Sequence, residues 1–463
     1  MSTTTELCEW VAGLRVADIP SEVRERTKLI TADIVGIAVR GRNGADSTPS
    51  LIAGIEALDL ACGRFRVLGD DRSYSATGAT LINATCAHSL ELDDTFSVRA
   101  LHTSCNVVPA ALAAAQMVDA DGESVLVGIV AGIEAMCRVG LGRDAGVPLT
   151  FHTTPTTGIF GATAAAASVL GLSAEQTEHA FGIALSAASG NIQFLTNGAW
   201  TKRSQIGFAS SAGVMAAALA HAGHTGPAEA LEGRNGFYRL YAEGKADPTR
   251  VTAGIGADWQ IMEIAFKPHS SCRGTHASID AAIDLREAHG ITFDQIDGVT
   301  IGLPRAPIDL IDVLASPNRI DPTTYVNGQF SITFTVATAL KLGRLALDDY
   351  DDQFWSPDVR DLMSRMEVVE DTEARMPKAG TSAGSVRVRL KDGSEHHRLV
   401  TVPKGEPENM MSPDELKAKF EGLVAPYLSP ARASSLYRRV LDLDGMASVQ
   451  ELFDLAVPDV DRG

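Results

Sequence analysis

Four segments gather titratable side chains inside otherwise apolar sequence. In the first, Ala87-His88-Ser89-Leu90-Glu91-Leu92-Asp93-Asp94-Thr95 leads on to Leu101-His102-Thr103-Ser104 and sets three carboxylates within four residues. If this segment is helical, His88, Glu91 and Thr95 share one face at i, i+3 and i+7. Taken alone it reads more simply as a solvated helix end with capping acids. His, Asp and Glu also ligate metals, but no H-E-x-x-H or comparable spacing accompanies them, and no metal is expected. The second segment, Phe151-His152-Thr153-Thr154-Pro155, sets His152 in a polar cap before a long apolar run. Backbone N–H groups at such a helix start hold carboxylates, although Thr153 to Thr157 also serve as plain caps. The third places the adjacent cations Lys202 and Arg203 before an Ala-rich run, which alone is an ordinary exposed basic pair. The fourth, Phe266-Lys267-Pro268-His269-Ser270-Ser271-Cys272-Arg273-Gly274-Thr275-His276, falls where the style of the sequence changes. Clefts between domains are favoured ligand sites. Cys272 with His276 as its base would make a nucleophile; a buried small thiol is the commoner use of such a residue.

The elements that must position these groups are helices in the first half. Glu22 to Val39 carries apolar residues at helical spacing. Ser173-x-x-Gln176 has the form of a capping box before Ala180 to Ala188. Ala-rich segments at Val107–Val118, Phe160–Leu170 and Ala209–Ala222 are apolar on nearly every face, the mark of helices buried in a large bundle. Beyond about residue 265 the period changes. Val299, Ile301 and Leu303 alternate with small or polar residues, Met366 to Val369 suggests a second strand, and Ser385–Leu390 alternates again. Lys391-Asp392-Gly393-Ser394 supplies a turn back into Leu399, Val400 and Val402, the strongest hairpin signal of the chain. Helical stretches at Ala277–His289 and Gln329–Leu342 lie between. The tail returns to helix at Ser412-Pro413-Asp414-Glu415 and again at Ala447 to Leu455. The expected fold is mainly α with an α+β insert: a large helical domain from residues 1–265 and 405–463, and a smaller α+β lid over residues 266–404.

A chain of 463 residues with 45% hydrophobic and 21% charged residues has material for two or three units with true cores. Its net charge of −18 repels phosphate backbones, so nucleic acid is not an expected partner. A site for anionic substrates must then carry its own cations. The six cysteines form no C-x-x-C pair and fit a reduced, cytoplasmic setting. Met1 to Glu9 has no secretory pattern. The most apolar runs, Val125–Met136 and Pro155–Leu172, are short for a bilayer span and read as buried helices, so no membrane is expected.

Taken together and in order, the four segments resemble the MmgE/PrpD family. Its pattern runs through H-x-L-D-F-D-D-T, H-P-x-x-P, G-F-H-P-T-x-x-x-G-x-F-G and K-R-x-H-x-G, then a Gly-Phe-Thr-Gly-Pro turn with L-E-G-x-x-G-F, and K-x-Y-P-x-C-R-x-T-H. The matching stretches here are His88–Thr95, His102, His152–Gly161, Lys202–Gly207, Gly223–Pro227 with Leu231–Phe237, and Lys267–His276, with Gln329-Phe330-Ser331 extending the match. The resemblance implies a helical domain with an inserted α+β lid, a homodimer, no cofactor, and a small di- or tricarboxylate substrate. Family activities include 2-methylcitrate dehydration, cis-aconitate decarboxylation and iminodisuccinate epimerisation. Carried over by position, it implies a site of Glu91, Asp93, Thr95, His102, His152, Lys202, Lys267 and Cys272. Arg203 and Arg273 are the further cations an acidic protein would need there. His102 and His152 are the expected acid/base pair, oriented by Glu91 and Asp93, while cations stabilise an enediolate-like species.

Departures from the pattern narrow the expected reaction. Phe334 stands where lyases of the family have Tyr in F-S-x-x-Y, so a phenolic donor is missing there. Gln205 replaces the His of K-R-x-H, Thr103 and Thr153 replace prolines, and His269-Ser270 replaces Tyr-Pro. An epimerase needs only the removal and return of one proton, so inversion of a centre next to a carboxylate, as in iminodisuccinate, is the leading expectation. The alternatives are a dehydratase- or decarboxylase-type lyase and a non-catalytic carboxylate-binding protein.

Overall fold

Close approach of small residues builds the larger unit. The helix Gly122–Gly142 packs along Thr153–Val169, which packs along Thr201–His221. A Cβ at Gly132 would lie 2.6 Å from Val107 and 2.7 Å from the Gly161 carbonyl, so only glycine admits this approach. Gly122–Gly142 is long and apolar enough to cross a membrane, yet 89% of its apolar window is buried inside the protein. The computed structural model describes residues 1–144, 147, 150–305, 310–375 and 383–459.

The expected helices appear, most with longer bounds: Ser21–Gly44, Ser104–Val118, Thr153–Val169, Thr201–His221 and His276–His289, while the last is shorter, at Gln450–Ala456. Both capping boxes form, Ser173 with Gln176 and Ser412 with Glu415. Two expectations need correction. The helix Ala76–Ala87 stops before His88, so residues 88–95 have no common helical face. The stretch Gln329–Leu342 is two helices, Tyr325–Gln329 and Ile332–Leu342, because the Ser331 hydroxyl accepts from the Phe334 N–H and starts a new one.

In the insert, four strands lie in the order Met366–Glu370, Ile296–Leu303, Gly384–Leu390, Glu395–Val400. The first pair is parallel and the others antiparallel, with Ile301 opposite both Val368 and Val386. The hairpin turns at Lys391–Ser394 with Gly393 at φ 88°, and Val402 falls outside its return strand. His276–His289 packs on the sheet and against Ile332–Leu342. Among the described residues two large cores result, beside a small cluster around Ile52, Val67, Tyr74 and Ile82. One large core draws on residues from Leu7 to Phe266 and from Met411 to Ala456; the other lies between Ile279 and Val388.

The chain crosses between these cores along two adjacent segments. Thr95 and Ala265 exchange N–H···O bonds of 2.9 Å in both directions, and the Phe266 N–H donates to the Gly405 carbonyl at 2.9 Å. Gly405 is at φ 94°, and a Cβ there would sit 2.0 Å from the Phe266 carbonyl, so this pairing requires glycine. On the outer surface, Trp200, Phe208, Met215 and Leu219 stand 44%, 52%, 49% and 38% exposed in and beside the helix Thr201–His221.

Candidate active site

The turn after Ala87 places the first acids. Glu91 adopts φ 54°, a left-handed conformation unusual for a residue with a Cβ. Such strain collects at functional sites. Here it directs the Glu91 carboxylate to two ammonium groups from distant elements: Lys202 at the start of its helix, and Lys267, whose Nζ lies 3.3 Å from Oε2. All three side chains are buried. Burial opposes the Glu91 charge, but Lys202 and Lys267 outweigh it and hold its pKa well below the usual carboxylate range.

Asp93 lies beneath, fully buried, its Oδ2 2.7 Å from His88 Nδ1 and 3.3 Å from His102 Nδ1. Burial opposes this charge too, and the two imidazoles keep the carboxyl strongly acidic. Asp94 turns the other way, accepting from the Ser104 N–H and from the Ser104 and Thr103 hydroxyls. Burial lifts its pKa to about 6 against those bonds.

The acceptors fix the tautomers of three histidines. A carboxylate or carbonyl only accepts. His88 Nδ1 therefore donates to Asp93, and its Nε2 accepts from Lys202 Nζ at 2.8 Å. His102 Nδ1 donates to the Asp94 carbonyl at 2.9 Å. His152 Nδ1 donates to Gln205 Oε1 at 3.1 Å, and that oxygen is identified because the Gln205 amide nitrogen donates to the Asn191 carbonyl. His102 and His152 are left with Nε2 lone pairs, the form a general base needs. Burial holds the His102 pKa down at about 3 despite Asp93, and burial followed by the Lys202 charge holds His152 well below its ordinary value. The rings of His102 and His152 lie 4.9 and 6.3 Å from that of His88.

These groups border a cleft of about 190 Å³ between the two cores. Glu91, Thr95, His102, His152, Lys202, Cys272 and Arg273 all line it. Lys267 and Asp93 sit just behind as partners of that lining. The Thr95 hydroxyl has no protein partner and is free for a ligand. Much of the remaining wall is apolar, from Phe151, Ile192, Phe194, Leu195 and Phe330.

Several sequence expectations change at this point. Arg203 is outside the lining; its guanidinium binds Asp46 and Ser47 on another side of the helix. Cys272 lines the cleft, but burial and then Glu91 push its thiol up, and no dyad with His276 forms. His276 instead contacts Arg273 Nη1 at 3.0 Å and the Ser271 carbonyl at 3.3 Å. Arg273 is held by Glu406, which also accepts from Ser97 at 2.9 Å. Phe334 is fully buried in the lid core against Tyr350 and Phe354, so its lack of a hydroxyl removes nothing from the cleft lining. Named in the sequence but not assigned to the site were His88, the link between Asp93 and Lys202, and Gln205, which orients His152. The five-residue spacing of His88 and Asp93 was the one available signal. His88, Asp93 and Cys105 offer three metal-type donor atoms within 4.8 Å of one another, but both His88 nitrogens are engaged and burial keeps the Cys105 thiol protonated.

A pH prediction follows for His102. Its imidazole should show no titration step between pH 8 and 5 by NMR; a midpoint near 6.5 would mean that the ring is solvated. The unfolded chain takes up this proton below about pH 6.5 while the folded state does not until about 3, so folding weakens through this group as pH falls across that window. Between pH 7 and 5, His102→Gln should lose about 2 kcal/mol less stability than wild type.

Residues 5–249 match the MmgE/PrpD N-terminal domain and residues 269–443 the MmgE/PrpD C-terminal domain. The chain is 29% identical to the cis-aconitate decarboxylase-like protein oryM of Aspergillus oryzae, covering 98% of this chain and 97% of that one. It is 27% identical to cis-aconitate decarboxylase of Aspergillus terreus, covering 98% and 95%, and 25% identical to cis-aconitate decarboxylase of Homo sapiens, covering 98% and 94%. With both domain matches in order over most of its length, the chain belongs to the MmgE/PrpD family.

Proposed function

We propose that this chain is a lyase that releases CO₂ from a small polycarboxylate by acid/base chemistry, without a cofactor. The observation that carries the reading is a cleft lined by Lys202 and two neutral imidazoles, with Lys267 just behind, together with several apolar side chains. A carboxylate pressed against an apolar wall without partners is costly, and its loss as neutral CO₂ relieves that cost. The electron pair left on carbon spreads onto a neighbouring carboxylate as an enediolate. An ammonium has three N–H donors; Lys202 uses two, on His88 and Glu91, and Lys267 uses one, on Glu91. The donors left over stabilise the enediolate, and Lys202 delivers the proton that completes the product. The relatives named as decarboxylases support the same reading.

A second reading is epimerisation next to a carboxylate. It is favoured by the two imidazoles, His102 and His152, whose Nε2 lone pairs are both free. One experiment separates the two. The protein is incubated in ²H₂O with cis-aconitate, then with iminodisuccinate, and followed by NMR. A product one carboxyl smaller and carrying one deuteron supports the lyase. Deuterium at Cα with the carbon skeleton intact supports the epimerase. No turnover of any citrate-sized acid would sink both.

We also propose that the exposed stripe of Phe208, Met215 and Leu219 seats a second copy of this chain. The helix Thr201–His221 has no acidic residue, although the chain carries −18 overall, so this face meets its own copy without like-charge repulsion. Phe208→Asp should convert a dimer to a monomer in analytical ultracentrifugation; a wild-type monomer refutes the idea.

A further inference from the structure

Buried cations in this protein come with acids. Arg42 pairs with Asp70, Arg138 with Glu134 and Arg273 with Glu406, and both site lysines share Glu91. Arg319 breaks the pattern. It sits in the short helix Pro317–Ile320 of the lid, 4% exposed, with no acid within ion-pair distance among the described residues. Its Nη2 donates to the Leu195 carbonyl at 2.9 Å, while its buried Nε has no hydrogen-bond partner among the described residues. The guanidinium lies over the ring of Phe330, 5.4 Å from its centroid, and Lys202 Nζ lies 5.6 Å from the same centroid. Leu195 and Phe330 both line the cleft, and Arg319 stands directly behind them. A charge left without an acid in such a place is destabilising, and an anion arriving in the cleft would offset that.

Within the cleft the other charges are already matched. Glu91 neutralises part of the lysine pair, Asp93 accepts the His88 N–H with the His102 ring 3.3 Å away, and Arg273 is bound to Glu406. An acid with several carboxylates therefore brings more negative charge than the matched groups accept. We infer that Arg319 binds a second, non-reacting carboxylate of the substrate, and that it is the residue by which this site selects di- and tricarboxylates over monocarboxylates. The inference rests on the polycarboxylate reading above and adds to it a specificity-determining residue contributed by the lid.

The test uses tricarballylate, a tricarboxylate with no reactive double bond, and isovalerate, a branched monocarboxylate, as binding probes in isothermal titration. Wild type should bind tricarballylate well and isovalerate weakly. Arg319→Met should weaken tricarballylate roughly 10- to 100-fold, the loss of one charge-assisted contact, and leave isovalerate unchanged. Arg319→Lys should recover only part of the loss, because a point charge does not reproduce the planar fork. In turnover, KM should rise while kcat stays within about fivefold. The melting temperature of Arg319→Met should be unchanged or higher, since an apolar side chain replaces a lone buried charge. A purely structural arginine would instead lower it and affect both probes alike. Equal tricarballylate affinity in wild type and Arg319→Met would overturn the inference alone. A wild type indifferent to every polycarboxylate would overturn the functional reading on which it stands.

Discussion

Turnover by Lys202→Met is expected to fall about 1,000-fold, with the fold intact. On the proposed lyase reading, Lys202 both donates to the developing enediolate and carries the proton for the product. Loss of one such donor costs about 10²–10³ in kcat, and loss of a general acid about 10²–10⁴. The two effects belong to one group and do not multiply. The protein should still fold, because Glu91 keeps Lys267 as a buried partner and Met fills the space of the lysine stem. Steady-state kinetics on the substrate identified by NMR, with a thermal melt as control, gives the result. A kcat/KM within tenfold of wild type would show that Lys202 neither stabilises nor protonates anything. His88 should respond as well, because its buried Nε2 loses the Lys202 donor.

Glu91→Gln should have the largest effect on stability of any single site change. The carboxylate holds two buried ammonium groups, and breaking a buried pair by removing one partner costs about 3–5 kcal/mol. Denaturant unfolding should register that loss at pH 7. Glu91 has a depressed folded pKa, so its contribution is complete above the unfolded value of about 4.3 and is lost as pH falls below it. The gap between wild type and variant should therefore hold from pH 8 to about 5 and narrow below about 4. Adding Lys267→Met should restore at least half of the stability, since it removes the cation left without a partner. An unchanged double variant would locate the damage in the strained turn at Glu91 and not in charge pairing.

Much of the fold is legible in the sequence for local reasons. Capping boxes at Ser173 and Ser412 depend on side chains three residues apart, and the Asp392-Gly393 turn depends on one left-handed position. The site is legible only as a set of residue types. Nothing near Ala87 requires the helix to stop; what holds Glu91 in its unusual conformation is an ammonium 111 positions away. Lys202 and Arg203 are indistinguishable as neighbours in sequence, but successive residues on a helix point about 100° apart, so one faces the cleft and the other faces Asp46. Phe334 shows the same limit: a matched motif gives the residue type, and only the packing against Tyr350 shows that the ring points into the lid. Arg319 carries no local signal, because its distinguishing property is the absence of an acid nearby.

Lys267 follows directly on Phe266, the residue whose N–H is fastened to Gly405 where the chain passes from one core to the other. Points near an axle travel least. If the insert swings, Lys267 keeps its hold on Glu91 while Phe330 and Arg319, mounted farther along the moving body, sweep through wider arcs. On the proposed reading, the reactive half of the chamber would then be set before any guest arrives, and what such a swing would deliver is dryness and a grip on the guest's far end.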